Sequence, residues 1–222
     1  MIFNWLLELD RDVLLFLNGS DSLFFDSVIV TLTAIVTWIP LYVALLYVVV
    51  KANRNWRGVL LALMAAGLCV LLAGTIDDTF VKPIVARWRP THDPEIGTLI
   101  DTVDGYRGGS YGFFSAHASN TFSIAVFFSL LMRQRLFTIF MVGWSLVNCY
   151  TRIYLGVHYP GDILVGLLWG GFVGYSVHRL HAVAYRRFVS DVPAVYTPQM
   201  VLVPVVVLCL TLLYAFVRAF FS

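Results

Sequence analysis

The chain has 222 residues, of which 59% are hydrophobic and 13% are charged. That charged fraction is about half of the value usual in soluble proteins, so too few polar residues remain to cover a water-soluble fold. The net charge is only +2, and no basic run is interleaved with aromatic residues, which argues against a nucleic-acid-binding surface. The composition therefore predicts a protein embedded in a lipid bilayer.

Apolar stretches set the expected fold class. A transmembrane helix needs roughly 20 mostly apolar residues, and the apolar runs here are continuous instead of alternating, which favours helices over a β-barrel. We expect an all-α fold, a polytopic membrane helical bundle that forms a single domain over residues 1–222. The six predicted spans are Ser27–Val50, Gly58–Ile76, Phe113–Met132, Leu136–Tyr150, Ile163–Val177 and Met200–Val217.

Residues 1–20 differ from these spans because acidic and basic side chains interrupt their apolar clusters, and no small-residue cleavage site follows. An N-terminal helix lying in the membrane interface fits this pattern better than a span or a signal peptide. The apolar residues expected to share one face of this helix are Ile2, Phe3, Leu6, Leu9, Val13, Phe16 and Leu17.

The orientation is predicted from the loops, because compact basic loops tend to stay in the cytoplasm. The basic residues divide almost evenly between the two sides of the membrane, so the orientation is predicted from the length of the loops and from their mixture of charges. The compact basic loops begin near Lys51, Arg133 and Arg179, whereas the long Thr91–Gly112 segment mixes acidic and basic residues. We therefore expect that segment on the side of the membrane opposite the cytoplasm, which in a bacterial inner membrane is the periplasmic side.

The first of three polar clusters follows the second span. Lys82 and Arg89 are two helical turns apart, so both side chains are predicted to project from one helix face. Pro90 then disfavours helix continuation at Arg89. Taken alone, this cluster could also be an ordinary basic flank at a membrane interface.

The second cluster opens the third span. The turn-forming Gly108–Gly112 stretch leads to Ser115, Ala116 and His117. Free N–H groups and a hydroxyl at a helix N-terminus make an anion-binding site. An isolated histidine among aromatic residues is also a common packing residue, with Asn120 as a hydrogen-bond partner.

The third cluster joins the fourth and fifth spans. Arg152 ends one span, His158 lies in the connection, and Asp162 opens the next helix. A carboxylate near a histidine can fix the ring tautomer and raise its basicity. The alternative is that Asp162 only caps the helix.

Together the clusters read Lys-x6-Arg-Pro, Ser-x-His and Arg-x5-His-x3-Asp between Lys82 and Asp162. This pattern resembles the type 2 phosphatidic acid phosphatase superfamily of integral membrane lipid phosphatases. The family's middle motif is usually Pro-Ser-Gly-His, where this chain has Phe114 and Ala116, and its third motif usually begins with Ser-Arg, where this chain has Thr151. Ala116 still offers a backbone N–H, and Thr151 keeps a hydroxyl.

The resemblance implies a phosphatase that needs no metal and no cofactor. His158 would attack phosphorus and form a phosphohistidine, Asp162 would orient it, and His117 would protonate the leaving group. The groups implied to hold the phosphoryl oxygens are Lys82, Arg89, Ser115, Ala116 and Arg152. The implied partner is a lipid phosphate drawn from the bilayer, of the undecaprenyl diphosphate, lipid A or phosphatidylglycerophosphate type.

Two other functions use the same polar residues. In a transporter or lipid-binding protein they would line a permeation or ligand site, although such sites usually lie near the middle of the membrane. A vanadate-dependent haloperoxidase would use the same oxyanion cradle. The Thr91–Gly112 segment is long enough to act as a lid over the head group, or it is a solvated loop.

Overall fold

The computed structural model describes residues 2–189 and 194–221, and helices make up most of these ranges. Within them no strand forms, and a single antiparallel bridge joins Trp88 and Tyr111. The helices are α1 Ile2–Leu17, α2 Leu23–Thr33, α3 Ile39–Ala52, α4 Trp56–Ile76, α5 Lys82–Val85, α6 Ala116–Met132, α7 Arg135–Tyr154, α8 Pro160–Phe188 and α9 Pro198–Phe220. A π-helical turn over Asp77–Val81 joins α4 to α5.

In the part of the chain that the structure describes, five helical segments are long and apolar enough to cross a membrane, where six spans were expected. The predicted third span forms α6, which has 17 residues and is shorter than the five. The other predicted spans each correspond to one of these segments. The five are Ile35–Ala52, Trp56–Val85, Arg135–Tyr154, Pro160–Phe188 and Pro198–Phe220.

The predicted first span, Ser27–Val50, is wrong as a continuous helix. α2 ends at Thr33, and a 3₁₀ turn over Ile35–Trp38 leads into α3. Pro40 lies in the first turn of α3, where it has no N–H to continue a helix from the preceding turn. Side chains satisfy the carbonyls at the break, because the Thr37 hydroxyl donates to Thr31 and the Trp38 indole N–H donates to Leu32.

α6 lies at the centre of the bundle and packs most extensively against α8, with α4 and α7 on its other sides. Gly166, Gly170 and Gly174 of α8 lie directly against the backbone of α6. A Cβ atom at Gly170 would be 2.4 Å from the Ser119 carbonyl oxygen. Small residues let membrane helices approach this closely, so α6 and α8 are fixed in one register.

α1 is a separate N-terminal helix whose inner face carries Asp10 and the fully buried Leu14. Several apolar residues of the face expected from the sequence point away from the bundle instead, with Phe16 86% exposed and Leu6 and Leu9 also exposed. The side chains of Ile2 and Phe3 lie outside the described residues. A helix with a polar inner face and an apolar outer face suits an interfacial position.

Candidate active site

The three sequence clusters meet at one end of the bundle. The Arg89 guanidinium donates to the carbonyls of Tyr111 and Val157 and lies 3.3 Å from Nε2 of His158. At the same end, the Ser115 N–H donates to the Asp162 carbonyl over 3.1 Å. The first, second and third clusters are therefore connected by direct contacts.

His158 lies in the connection between α7 and α8 and is only 2% exposed. Burial, together with the positive charges of Arg89, Arg152 and Lys82, holds the pKa of His158 well below its ordinary value. The imidazole is therefore neutral near pH 7. Arginine can only donate hydrogen bonds, so the contact with Arg89 assigns the lone pair to Nε2 and the proton to Nδ1.

Asp162, at 0% exposure, lies beside this imidazole. Its Oδ2 is 3.5 Å from Nδ1 of His158, which is longer than a normal hydrogen bond, and accepts from the Tyr159 N–H over 3.1 Å. A Cβ atom on Gly112 would lie 3.3 Å from Oδ2 and 3.5 Å from Nδ1. Asp162 thus combines the helix-capping contact with a position next to the histidine.

The other oxygen of Asp162 contacts Arg87, to which the sequence analysis assigned no role. Arg87 Nη1 lies 2.7 Å from Asp162 Oδ1, and Nη2 lies 2.7 Å from Oδ2 of Asp10 on α1. Its guanidinium also lies over the Tyr159 ring, 4.1 Å from the centroid. Burial opposes the charge of Arg87, but Asp162 and Asp10 outweigh that effect and raise its pKa.

Lys82 and Arg89 do not share a helix face. The helix ends at Val85, because Ala86 adopts a left-handed conformation with φ of 49°, and Arg89 is extended. Lys82 Nζ lies 2.9 Å from Oδ2 of the fully buried Asp77. The other carboxylate oxygen of Asp77 accepts from the Phe114 N–H, so Asp77 ties Lys82 to the segment that precedes Ser115.

The start of α6 carries the second cluster. The buried Ser115 caps the helix by accepting from the Ala118 N–H over 3.4 Å. His117 follows in the first turn and is half-buried, and the charges of Arg152, Arg89 and Lys82 act on it through space. The structure contains no hydrogen bond between His117 and Asn120, although both residues are described. Asn120 was the hydrogen-bond partner in the alternative that His117 is only a packing residue.

Arg152, 3% exposed, completes the site from the end of α7. Its Nη1 donates to the Thr33 hydroxyl over 2.7 Å, and its Nη2 lies 3.3 Å from the Tyr106 hydroxyl. Burial and the charge of Arg152 lower the pKa of Arg89. A guanidinium whose charge is disfavoured by a neighbouring cation, as that of Arg89 is, is ready to be neutralised by an oxyanion.

The first part of the segment that was expected to be a lid or a solvated loop is packed against the protein. Ile96, Ile100 and Val103 are buried, whereas residues 104–110 are exposed, so only that later part is a solvated loop. Asp93 accepts from the Tyr159 hydroxyl over 2.7 Å. The segment therefore contacts the connection that carries His158, and its action as a lid stays a prediction.

A cavity of about 460 Å³ opens beside the site between α3, α4 and α6. His117, Asn120 and Thr33 form part of its polar lining, and most of the other lining residues are apolar. Thr33 also binds Arg152, which places one end of the cavity next to the cationic groups. The cavity can hold an apolar chain attached to a phosphate at that end.

Within residues 2–189 and 194–221, no three His, Cys, Asp or Glu side chains lie together in a way that could hold a metal ion. The independence from metal that the sequence implies stays a prediction. The groups present can supply a neutral nucleophile, positive charge for a phosphoryl group and a second histidine for proton transfer.

Sequence comparisons show the family to which the chain belongs. The family model described as PAP2 superfamily matches residues 59–186, more than half of the chain. The chain is 39% identical to a lipid A 4'-phosphatase of Bacteroides thetaiotaomicron, over 86% of this chain and 85% of that protein. It is 35% identical to a lipid A 4'-phosphatase of Porphyromonas gingivalis, over 84% and 78% respectively.

A more distant relative is a decaprenylphosphoryl-5-phosphoribose phosphatase of Mycobacterium tuberculosis, 32% identical over 57% of this chain and 62% of that protein. No solved structure was found to match the chain. The family match and the apolar helices together identify a multi-pass membrane protein. The chain belongs to the PAP2 superfamily and is a phosphatase, a hydrolase of phosphoric esters.

Proposed function

We propose that this phosphatase removes a phosphate group from lipid A and that the reaction passes through a phosphohistidine on His158. The observation that carries the proposal is the buried, neutral His158, whose Nε2 faces Arg89 at 3.3 Å. A neutral imidazole with an unprotonated Nε2 is a nucleophile, and the adjacent cation attracts the phosphate that it attacks.

In the first step, Nε2 forms a bond to phosphorus while the bond from phosphorus to the lipid oxygen breaks. His117, which enters this step as an imidazolium stabilised by the negative charge of the bound phosphate, gives its proton to the departing alkoxide. Arg89, Arg152 and Lys82 stabilise the phosphoryl oxygens, and the Ser115 hydroxyl and the Ala116 N–H complete the cradle. Asp162 faces the proton on Nδ1 and stabilises the positive charge that develops on the ring.

In the second step, water attacks the phosphohistidine and gives a proton to the now neutral His117. The bond from phosphorus to Nε2 breaks, and inorganic phosphate leaves. Phosphoryl transfer depends mainly on position and on electrostatic stabilisation, so these cations can provide the stabilisation without a metal.

Two observations support a lipid of the lipid A type. The cavity beside His117 has a largely apolar lining and a volume of about 460 Å³, which suits an acyl chain. Two relatives that match most of this chain are both named lipid A 4'-phosphatases. We therefore place the 4'-phosphate first among the candidate substrates, ahead of undecaprenyl diphosphate and phosphatidylglycerophosphate.

We further propose six crossings of the bacterial inner membrane by a single domain, with α1 in the interface and the site on the periplasmic side. α6 supplies the crossing that is added to the five long segments. It is short, but its position at the centre of the bundle surrounds it with other helices instead of lipid. Compact basic loops at the opposite end support this orientation. The site would then meet substrate in the outer leaflet of that membrane.

The decisive experiment measures phosphate release by the purified protein from the three candidate lipids in detergent, with EDTA present. Mass spectrometry of the lipid A product distinguishes loss of the 4'-phosphate from loss of the 1-phosphate. We expect loss of the 4'-phosphate and no effect of EDTA. Release from neither position of lipid A would overturn the substrate assignment, and activity restored only by added Mg²⁺ would overturn the metal-free mechanism.

A further inference from the structure

The N-terminal helix α1 reaches the catalytic connection through one carboxylate. Oδ2 of Asp10 lies 2.7 Å from Arg87 Nη2, and Oδ1 accepts from the Gly161 N–H over 2.6 Å. A Cβ atom on Gly161 would lie 2.8 Å from Asp10 Oδ2, so no larger residue fits there without displacing the carboxylate. Asp10 thereby contacts both the Arg87 side chain and the first turn of α8, which carries Asp162.

Arg87 links Asp10 to the buried carboxylate of Asp162, which lies beside His158. It holds Oδ1 of Asp162 at 2.7 Å, and Oδ2 of the same carboxylate then faces Nδ1 of His158 at 3.5 Å. A carboxylate that is held at one oxygen cannot rotate about its side-chain bond, so the direction of the second oxygen is fixed. The cation of Arg87 also supplies the partner that a buried anion requires.

We propose that Asp10 and Arg87 are positioning residues of the phosphatase reaction. The N-terminal helix holds Arg87, Arg87 holds Asp162, and Asp162 sets the tautomer and orientation of His158. This inference rests on the proposed nucleophilic role of His158. It gives α1 a part in catalysis that acts through Arg87 and Asp162.

The position of α1 supports this role over that of a simple surface ion pair. Exposed ion pairs contribute little to stability, but here the side chains of Asp10, Arg87 and Asp162 are 13%, 23% and 0% exposed. Leu14 on the same face of α1 is fully buried. The packed leucine and the paired carboxylate fix α1 at two points one helical turn apart.

The test uses the variants Asp10→Asn, Arg87→Gln and the double variant, with Asp12→Asn as the matched control. Asp12 is an exposed acid on the same helix, with no partner among the described residues. Turnover is measured with lipid A and with p-nitrophenyl phosphate, a soluble phosphoric ester that needs no lipid recognition. Thermal unfolding in detergent is followed in parallel.

We expect both single variants to lower kcat by about 10- to 100-fold, the loss that a misplaced reacting group causes, with KM nearly unchanged. The double variant should be no worse than the more damaging single variant, because both changes break one chain of contacts. Asp10→Glu and Arg87→Lys, which keep the charges, should recover part of kcat. Asp12→Asn should match the wild type.

Wild-type kcat in Asp10→Asn and Arg87→Gln would overturn the inference, as would losses that multiply in the double variant or simply follow a lowered melting temperature. A wild-type enzyme that cleaves p-nitrophenyl phosphate but not lipid A would refute only the substrate assignment. Equal loss of kcat with the soluble ester would then still support the positioning role.

Discussion

Replacing Gly170 with alanine tests how closely the site depends on the register of α6 and α8. The added Cβ would lie 2.4 Å from the Ser119 carbonyl oxygen and 2.9 Å from the Ser119 Cα. Both are backbone atoms of a central helix, so neither can rotate away. Because ordinary van der Waals contact begins near 3.4 Å, the two helices must separate locally by roughly 1 Å.

This separation is transmitted to the site because both helices begin there. The Ser115 N–H donates to the Asp162 carbonyl, and these residues lie at the first turns of α6 and α8. Overpacking costs about 1–3 kcal/mol of stability, and a displacement of about 1 Å at a reacting group can lower the rate by about 10²-fold. We therefore expect Gly170→Ala to lower both the melting temperature and kcat.

The assay combines thermal unfolding in detergent with phosphate release from p-nitrophenyl phosphate. Gly143→Ala is the matched control, because a Cβ there meets no atom within 4 Å. Alanine also has a higher helix propensity than glycine, and this gain is common to the two variants. Equal melting temperatures and equal kcat in both variants would refute the argument from close helix contact.

Three further predictions concern the site and its orientation. His158→Ala should abolish turnover and the acid-labile phosphoprotein while leaving the melting temperature close to that of the wild type, and retained turnover would exclude the phosphohistidine. Burial and the neighbouring cations lower the pKa of His158 from its ordinary value of 6.5, so the neutral nucleophile persists as the pH falls through 6.5. The rate of phosphohistidine formation in a single turnover should then decline only below that pH, and a midpoint at or above it would contradict the assignment. In spheroplasts of a strain whose protein lacks its native cysteines, Thr98→Cys should react with an impermeant maleimide and Arg54→Cys should react only after lysis; the reverse pattern would place the site in the cytoplasm.

The proximity of the candidate catalytic groups could be predicted from sequence because the members of each pair are separated by only a few residues. Ser115 and His117 flank a helix start, and His158 and Asp162 are one helical turn apart, so local geometry brings each pair together. The partners that hold these groups carry no such signal. Asp10 contacts Arg87 over a separation of 77 residues, and Thr33 contacts Arg152 over 119, and only the tertiary fold creates those contacts.

The positions of the helices could be predicted where a long apolar stretch forms one continuous helix. They could not be predicted where side chains take the place of backbone hydrogen bonds and allow the helix to break. Hydropathy treats Ser27–Val50 as uniform, although Thr37 and Trp38 take over the carbonyls that the break leaves open. The prediction that Lys82 and Arg89 share one helix face was wrong because the backbone between them is not a regular helix. A π-helical turn and a left-handed residue at Ala86 change the helical phase between them, and a regular period does not represent either feature.

The contacts of α1 also have a consequence for the order in which the chain assembles. The Asp10 carboxylate binds the Gly161 N–H, which lies 151 residues later in the chain. Contacts with such sequence separation close large loops and form late in folding. α1 packs against α7 and α8 much less extensively than α6 packs against α8, so we expect the site to be completed only after α8 is in place. We expect unfolding to follow the reverse order, with α1 the first segment to detach on heating. The enzyme should then lose turnover before its helical bundle unfolds.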